Sequence, residues 1–209
     1  MLADHAWCRR NGRRARIDAK LPERMVYLAV SMPSDIDLAL APLFGKPCWG
    51  VKQGYSTYLT FEFGQPHLEI REPKQPRAKS ARVRRLFARR RVSVYGEWRL
   101  WLYICNWALF QGERCRATAN STRRQTLAAT NDIDGQAITD VQVTPDLRHA
   151  TFSFDLGGRL EVSTWHDNSE DVQWLLYEPS GRTLEVRADG HYLYARPGEE
   201  GQWRLPAPS

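Results

Sequence analysis

Apolar and polar residues alternate in short runs along this chain, most cleanly in its second half. There Ile138/Val141/Val143, Phe152/Phe154/Leu156, Leu160/Val162, Trp174/Leu176, Leu184/Val186 and Tyr192/Tyr194 mark six segments with a near two-residue period. That period puts apolar side chains on one face of a strand and polar ones on the other. Gly157-Gly158, Pro179-Ser180-Gly181 and Asp189-Gly190 punctuate the runs where antiparallel hairpins need turns. The first half predicts strands near Cys48–Gln53, Thr57–Phe63, His67–Glu72, Val92–Tyr95 and Trp98–Phe110. The last of these is apolar almost throughout, so it is expected to be a central strand covered on both faces.

Two short helices precede these strand groups. Ser34, after Pro33 and with Asp35 and Asp37 in the first turn, opens one that runs through Leu40 before Pro42 and Gly45. Thr122 and Gln125 form a capping-box pair for a second, reaching about Thr130. Each helix leads into an apolar-x-Gly step, Leu43-x-Gly45 or Ile133-x-Gly135. Further matches follow: Phe61-Glu62-Phe63-Gly64 with Phe154-Asp155-Leu156-Gly157, Leu68-Glu69-Ile70 with Leu160-Glu161-Val162, and Trp98 with Trp174. The fold class expected is therefore α+β, predominantly antiparallel β. Two tandem copies of a short helix plus a meander of about five strands would pack with pseudo-twofold symmetry around a shared core. The expected division is a basic, disordered arm over 1–31, a first repeat over 32–120, a second over 121–196, and a tail over 197–209 in which Trp203 could dock.

The halves differ in length at one place. Ile70 to Trp98 spans 28 positions and Val162 to Trp174 only 12, and the surplus coincides with residues 74–91. This insertion changes the reading of charge. The chain carries +6 in total; Arg71–Arg91 holds ten basic residues and one acid, and Met1–Arg24 a further net +4, so the rest sums to −7. Lys79, Arg82, Arg84, Arg85, Arg89, Arg90 and Arg91 surround Val83, Leu86 and Phe87, whose spacing places three apolar side chains on one helical face. The plainest expectation is a solvated loop, or a helix docking Leu86 and Phe87 on its own body. The arginines could also meet an acidic protein or phosphates. The acidic counterpart runs from Trp165 through His166, Asp167 and Ser169 to Asp171, and would face the arginines across the pseudo-twofold axis.

Catalytic and metal templates are weak. There is no Gly-x-Ser-x-Gly, no His-Glu-x-x-His and no phosphate-binding Gly-Lys-Ser/Thr loop. Asp167, Ser169 and Asp171 have the alternation of a calcium loop, but Val172 stands where that loop needs Gly. No metal and no cofactor are expected. Four cysteines without a close pair and without a signal peptide fit a reduced, cytoplasmic protein, with Cys48 and Cys105 as buried thiols. No apolar run is long enough to span a membrane. No motif ties the chain to a family; its look is that of a small bacterial protein. The function expected first is non-enzymatic binding of another macromolecule, an acidic protein above all, through the insertion and the acidic loop. The alternative is an enzyme or small-ligand site between the repeats using Glu62, Asp155 or His191. Nucleic-acid binding through the arginines comes third.

Overall fold

The computed structural model describes residues 34–206 apart from Pro76, Ala78, Asp167, Asn168 and Glu200. The basic segment expected to form a disordered arm lies outside the described residues, as does Asp167. Helix α1 spans Ser34–Leu40 and buries Ile36, Ala39 and Leu40. Strands β1 (Cys48–Gln53), β2 (Leu59–Phe63) and β3 (His67–Arg71) follow, then helix α2 (Ala81–Phe87) and strands β4 (Arg91–Tyr95), β5 (Trp98–Leu102), β6 (Cys105–Gln111) and β7 (Arg114–Thr118). Helix α3 (Arg123–Ile133) precedes β8 (Ile138–Val143), β9 (His149–Phe154), β10 (Gly158–Thr164), β11 (Val172–Tyr177), β12 (Thr183–Arg187) and β13 (Tyr192–Ala195). The chain is a β-rich α+β protein, with antiparallel pairing throughout its named strands.

Two sheets carry the fold. One has six strands in the order β1-β2-β5-β11-β12-β13, the other five in the order β7-β6-β10-β9-β8. Both draw strands from each side of α3, so neither half of the chain owns a sheet. Their inner faces share one apolar core: Phe61, Leu100, Leu102, Trp174 and Leu176 on one side meet Leu109, Phe152, Leu160 and Val162 on the other. The Phe152 ring stands edge-on to Trp174 at 6.0 Å, the geometry that aromatic quadrupoles prefer.

Local sequence accounts for much of this. The Thr122–Gln125 capping box forms as expected, with the Thr122 hydroxyl accepting from the Gln125 N–H and the Gln125 side chain accepting from the Thr122 N–H. Helix α3 buries Thr126, Ala129, Thr130 and Ile133, spaced along one face, and packs on β1 and β7, an edge of each sheet. Its exit is stitched to β1, where the Gly135 N–H donates to the Cys48 carbonyl and the Cys48 N–H to that of Gln136, both at 2.8 Å. Gly190, in the β12–β13 turn, has φ of 84°, and a Cβ there would lie 2.7 Å from the Asp146 carbonyl.

The expected single strand Trp98–Phe110 is corrected by the structure. It is two strands in different sheets, β5 and β6. The backbone turns between them at Tyr103 and Ile104, whose N–H groups donate to the Gln173 and Val172 carbonyls. The tail lies against the body: the Arg187 guanidinium sits 4.7 Å from the Trp203 ring centre, and Arg204 pairs with Asp35 at 2.8 Å. Cys48 and Cys105 are free and buried, whereas Cys115 is disulfide-bonded, against the expectation of reduced thiols throughout.

Burial pushes both free thiols up to about 12. They should therefore be inert to a disulfide reagent in the native state at pH 8 and react only on unfolding. The sign for stability follows: a raised folded value contributes fully below the unfolded thiol range, so stability should decline as pH rises from about 9 toward 12. Thiol titration with and without denaturant, and urea melts across that range, check both; fast native-state labelling of either cysteine would contradict the burial.

Candidate functional site

The insertion is an arm built on a two-stranded ribbon. The chain leaves the six-stranded sheet after Phe63, forms β3, α2 and β4, and re-enters at Trp98, the residue paired with Phe63. Helix α2 forms where the Val83/Leu86/Phe87 spacing predicts it, capped by the Ser80 hydroxyl accepting from the Val83 N–H. It does not dock: Leu86 and Phe87 stay exposed, so the expectation of a helix laid on the acidic body is not met. Within the ribbon, Leu68 opposes Val94 and Ile70 opposes Val92, giving an apolar face that is exposed in all four residues. His67, Glu69, Arg71, Arg91, Ser93 and Tyr95 alternate onto the other face.

The predicted basic residues gather toward the arm's end. Arg82, Arg85, Arg89, Arg90 and Arg91 line, with Leu86, a concavity of about 440 Å³. Arg90 forms a two-pronged pair with Glu72, with Nε 3.0 Å from each carboxylate oxygen, and Arg84 donates to the Lys79 carbonyl. The Arg71 hydrogen bond holds the Glu69 carboxyl below its ordinary range. Among the described residues, Lys79, Arg82, Arg85, Arg89 and Arg91 have no carboxylate at ion-pair distance.

The acidic loop is elsewhere. The arm is rooted at the Phe63/Trp98 end of β5, while the loop holding His166 and Asp171 enters β11 beside Leu102, at the other end. Glu170 of that loop pairs with Arg187 at 3.3 Å, and Asp171 accepts from the Ser169 hydroxyl. The root of the arm and the loop thus stand at opposite ends of β5, and among the described residues no ion pair joins the loop to the arginines of the arm.

What the arm does face is the outer surface of the six-stranded sheet. Because Leu100 and Leu102 point into the core, Arg99, Trp101 and Tyr103 point out. Trp101 continues into a row of rings: Tyr177 lies at 6.4 Å, Tyr103 at 5.6 Å and Tyr58 at 6.5 Å, with Tyr58 and Tyr103 4.6 Å apart. Trp165 borders the far end, where it and Tyr58 and Tyr103 help line a cavity of about 220 Å³. At the near end the polar side of β4 closes over the sheet. Arg91, Ser93 and Tyr95 meet Lys52, Thr60, Glu62, Arg99 and Trp101 around a groove of about 370 Å³. Burial raises the Tyr177 hydroxyl, and burial with the neighbouring Tyr103 raises that of Tyr58, so both rings remain neutral hydrogen-bonding groups.

One buried carboxylate organises the groove. Glu62 is 1% exposed; its Oε2 accepts from the Gly96 N–H at 2.9 Å and from Arg99 Nε at 3.2 Å. Arg99 Nε is also 3.2 Å from Oε1, but at an angle that makes this an ion contact without a hydrogen bond. The Arg99 guanidinium in turn lies 3.6 Å from the Tyr95 ring centre, a cation–π contact. Gly96 permits this root, since a Cβ there would be 2.5 Å from the Phe63 carbonyl.

The remaining acid–base candidates are scattered. Asp155, in the β9–β10 turn, accepts from the Ala137 N–H; His191, after β12, lies 3.2 Å from Asp189; Glu161 pairs with Arg159. Of Glu62, Asp155 and His191, only Glu62 lines the groove. Among the described residues, no three His, Cys, Asp or Glu side chains could hold a metal ion, and no helix is long and apolar enough to cross a membrane. Reading the sequence missed Trp101, Tyr103 and Arg99 as surface residues. Their alternation with Leu100 and Leu102 was the available signal.

Glu62→Ala leaves the Gly96 N–H and the largely buried Arg99 without their acceptor, and should destabilise the fold by about 2–3 kcal/mol. Urea unfolding at 25 °C measures this; an unchanged midpoint would mean the carboxylate organises nothing. A scan against protein-family models finds no match, and neither do searches of curated proteins and of solved structures.

Proposed function

We propose that this protein binds single-stranded nucleic acid, laid along the outer face of the six-stranded sheet under the basic arm. One observation carries the reading: the arginine-bearing arm closes over Trp101, at the near end of an aromatic row, and the two line one groove. Proteins that hold single strands combine a basic track for the backbone with exposed rings on which bases stack. Alternate residues along β5 are about 6.6 Å apart, close to the step between nucleotides of an extended strand. The arm's tip adds Arg82, Arg85 and Arg89, which have no carboxylate partner among the described residues, the groups that displace counterions from a polyanion. An acidic protein would also engage those arginines, and rings serve protein interfaces too, but the alternation of rings along β5 suits stacked bases better. An enzyme site using Glu62, Asp155 or His191 has less support, since each has its own partner on a separate element and only Glu62 lines the groove.

The scaffold under the groove we read as two copies of one unit, in a register different from the sequence offsets. The units would be α1-β1-β2-β5-β6-β7 and α3-β8-β9-β10-β11-β12, with the arm inserted where β9 and β10 join directly. Three likenesses support this. Phe61-Glu62-Phe63 matches Phe152-Ser153-Phe154. Asn106-Trp107-Ala108-Leu109-Phe110 matches Gln173-Trp174-Leu175-Leu176-Tyr177. In the pairings, Leu109 opposes Leu160 as Leu176 opposes Leu100. Each unit then gives three strands to one sheet and two to the other.

Two measurements test these readings. Tryptophan quenching and gel shifts with (dT)12 should show binding whose log affinity falls with log salt at a slope of about −3 for some four phosphates. Trp101→Ala should cost about 1–3 kcal/mol of that binding, and Arg82→Glu/Arg85→Glu/Arg89→Glu should flatten the slope. No binding at low salt would end the proposal. For the duplication, Trp107→Ala and Trp174→Ala, at matched buried positions, should each cost about 3–5 kcal/mol; a near-neutral change at either would break the equivalence.

A further inference from the structure

The groove at the foot of the arm is specified more closely than a general basic track requires. We infer that it is a nucleotide subsite, in which Arg99 receives a phosphate and Trp101 the attached base. This rests on the single-strand reading for its context but not for its chemistry, because a free nucleotide would satisfy it equally.

The argument starts from Arg99. Its Nε is committed to Glu62, which is itself pinned by the Gly96 N–H. One face of its guanidinium is held by the Tyr95 ring at 3.6 Å, and the Tyr177 ring lies at 5.6 Å. Orientation is therefore fixed before any ligand arrives. Its two Nη groups make no hydrogen bond among the described residues. A planar fork of donors, locked by a buried acid and a ring, matches two oxygens of a phosphate. Lys52 and Arg91 bring further positive charge to the same groove, and the Ser93 hydroxyl a further donor. Trp101 lines the groove as well. At about 370 Å³, the cavity is of the size that small-ligand sites have. An ion pair serving stability alone would need only the Nε contact, with no convergence of donors and ring on one cavity.

Tryptophan fluorescence titrations with thymidine 5′-monophosphate, thymidine and (dT)12 test this. The nucleotide should bind at least tenfold more tightly than the nucleoside. Arg99→Lys, which keeps the charge but loses the fork, should lower nucleotide affinity at least tenfold and leave the nucleoside and the salt slope for (dT)12 unchanged. Trp101→Leu should weaken nucleotide and nucleoside alike. If Arg99→Lys lowers the melting temperature, the exposed Lys52→Ala takes its place, with a loss of several-fold expected for the nucleotide only. Nucleotide binding unaltered in Arg99→Lys, or in Lys52→Ala where that replaces it, overturns the subsite; (dT)12 binding with its salt slope intact would then still uphold the single-strand reading. Nucleotide binding with no gain for (dT)12 does the reverse. No binding of any of the three ligands overturns both.

Discussion

Trp174 and Phe152 meet edge-on between the two sheets, and the position of every outward-facing residue follows from that burial. The apolar effect demands one buried face per sheet, worth about 25 cal/mol for each Å² taken from water. With Leu100, Leu102, Trp174 and Leu176 committed inward, the two-residue period leaves Arg99, Trp101, Tyr103 and Tyr177 no choice but the outer face. A slip of one position in β5 would bring arginine into the core and leucine to the surface. The aromatic row is thus the obverse of the core, fixed by the same register.

The arm is a weaker structure and depends on that register. A two-stranded ribbon is marginal by itself, and here its apolar side, Leu68, Ile70, Val92 and Val94, gains little from burial. Arg71 and Arg91 stand directly opposite one another, a pairing of like charges that costs stability. What holds the ribbon in place is its root: Glu62 on the Gly96 N–H, the Arg99 guanidinium on Tyr95, and Gly64 accepting from the Trp49 indole at 3.0 Å. A polyanion between Arg71, Arg91 and the tip would relieve the repulsion that the fold leaves standing.

Elements whose causes are local were readable from the chain. Both flanking helices, the Asp189-Gly190 turn and the strands from Ile138 onward have their caps, turns and alternation written within a few residues. The division of Trp98–Phe110 was not, because no Gly or Pro marks Tyr103–Ile104. The switch of sheet is imposed by carbonyls of Val172 and Gln173, some seventy positions on. The same limit governs the site. Arginine density is visible in sequence, so the arm was found; the ring row joins Tyr58, Trp101, Tyr103 and Tyr177, which only pairing between distant strands brings together. Glu62 looked like a candidate acid because its partner Arg99 lies 37 positions away.

On the proposed function, the arm and the sheet would divide the work of binding. The tip arginines act over a distance set by the Debye length, about 8–10 Å near physiological salt, and would draw an anion in without fixing where it lies. Placement would fall to the groove, where the guanidinium of Arg99 is already oriented by Glu62 and Tyr95, so little ordering entropy would remain to be lost on contact. Had the arm carried both tasks, its marginal ribbon would have to order around each ligand and the affinity would fall by that cost. Seating a phosphate fork on the sheet, with its counter-acid buried beneath, would separate capture from recognition and leave the less stable element the task that tolerates motion.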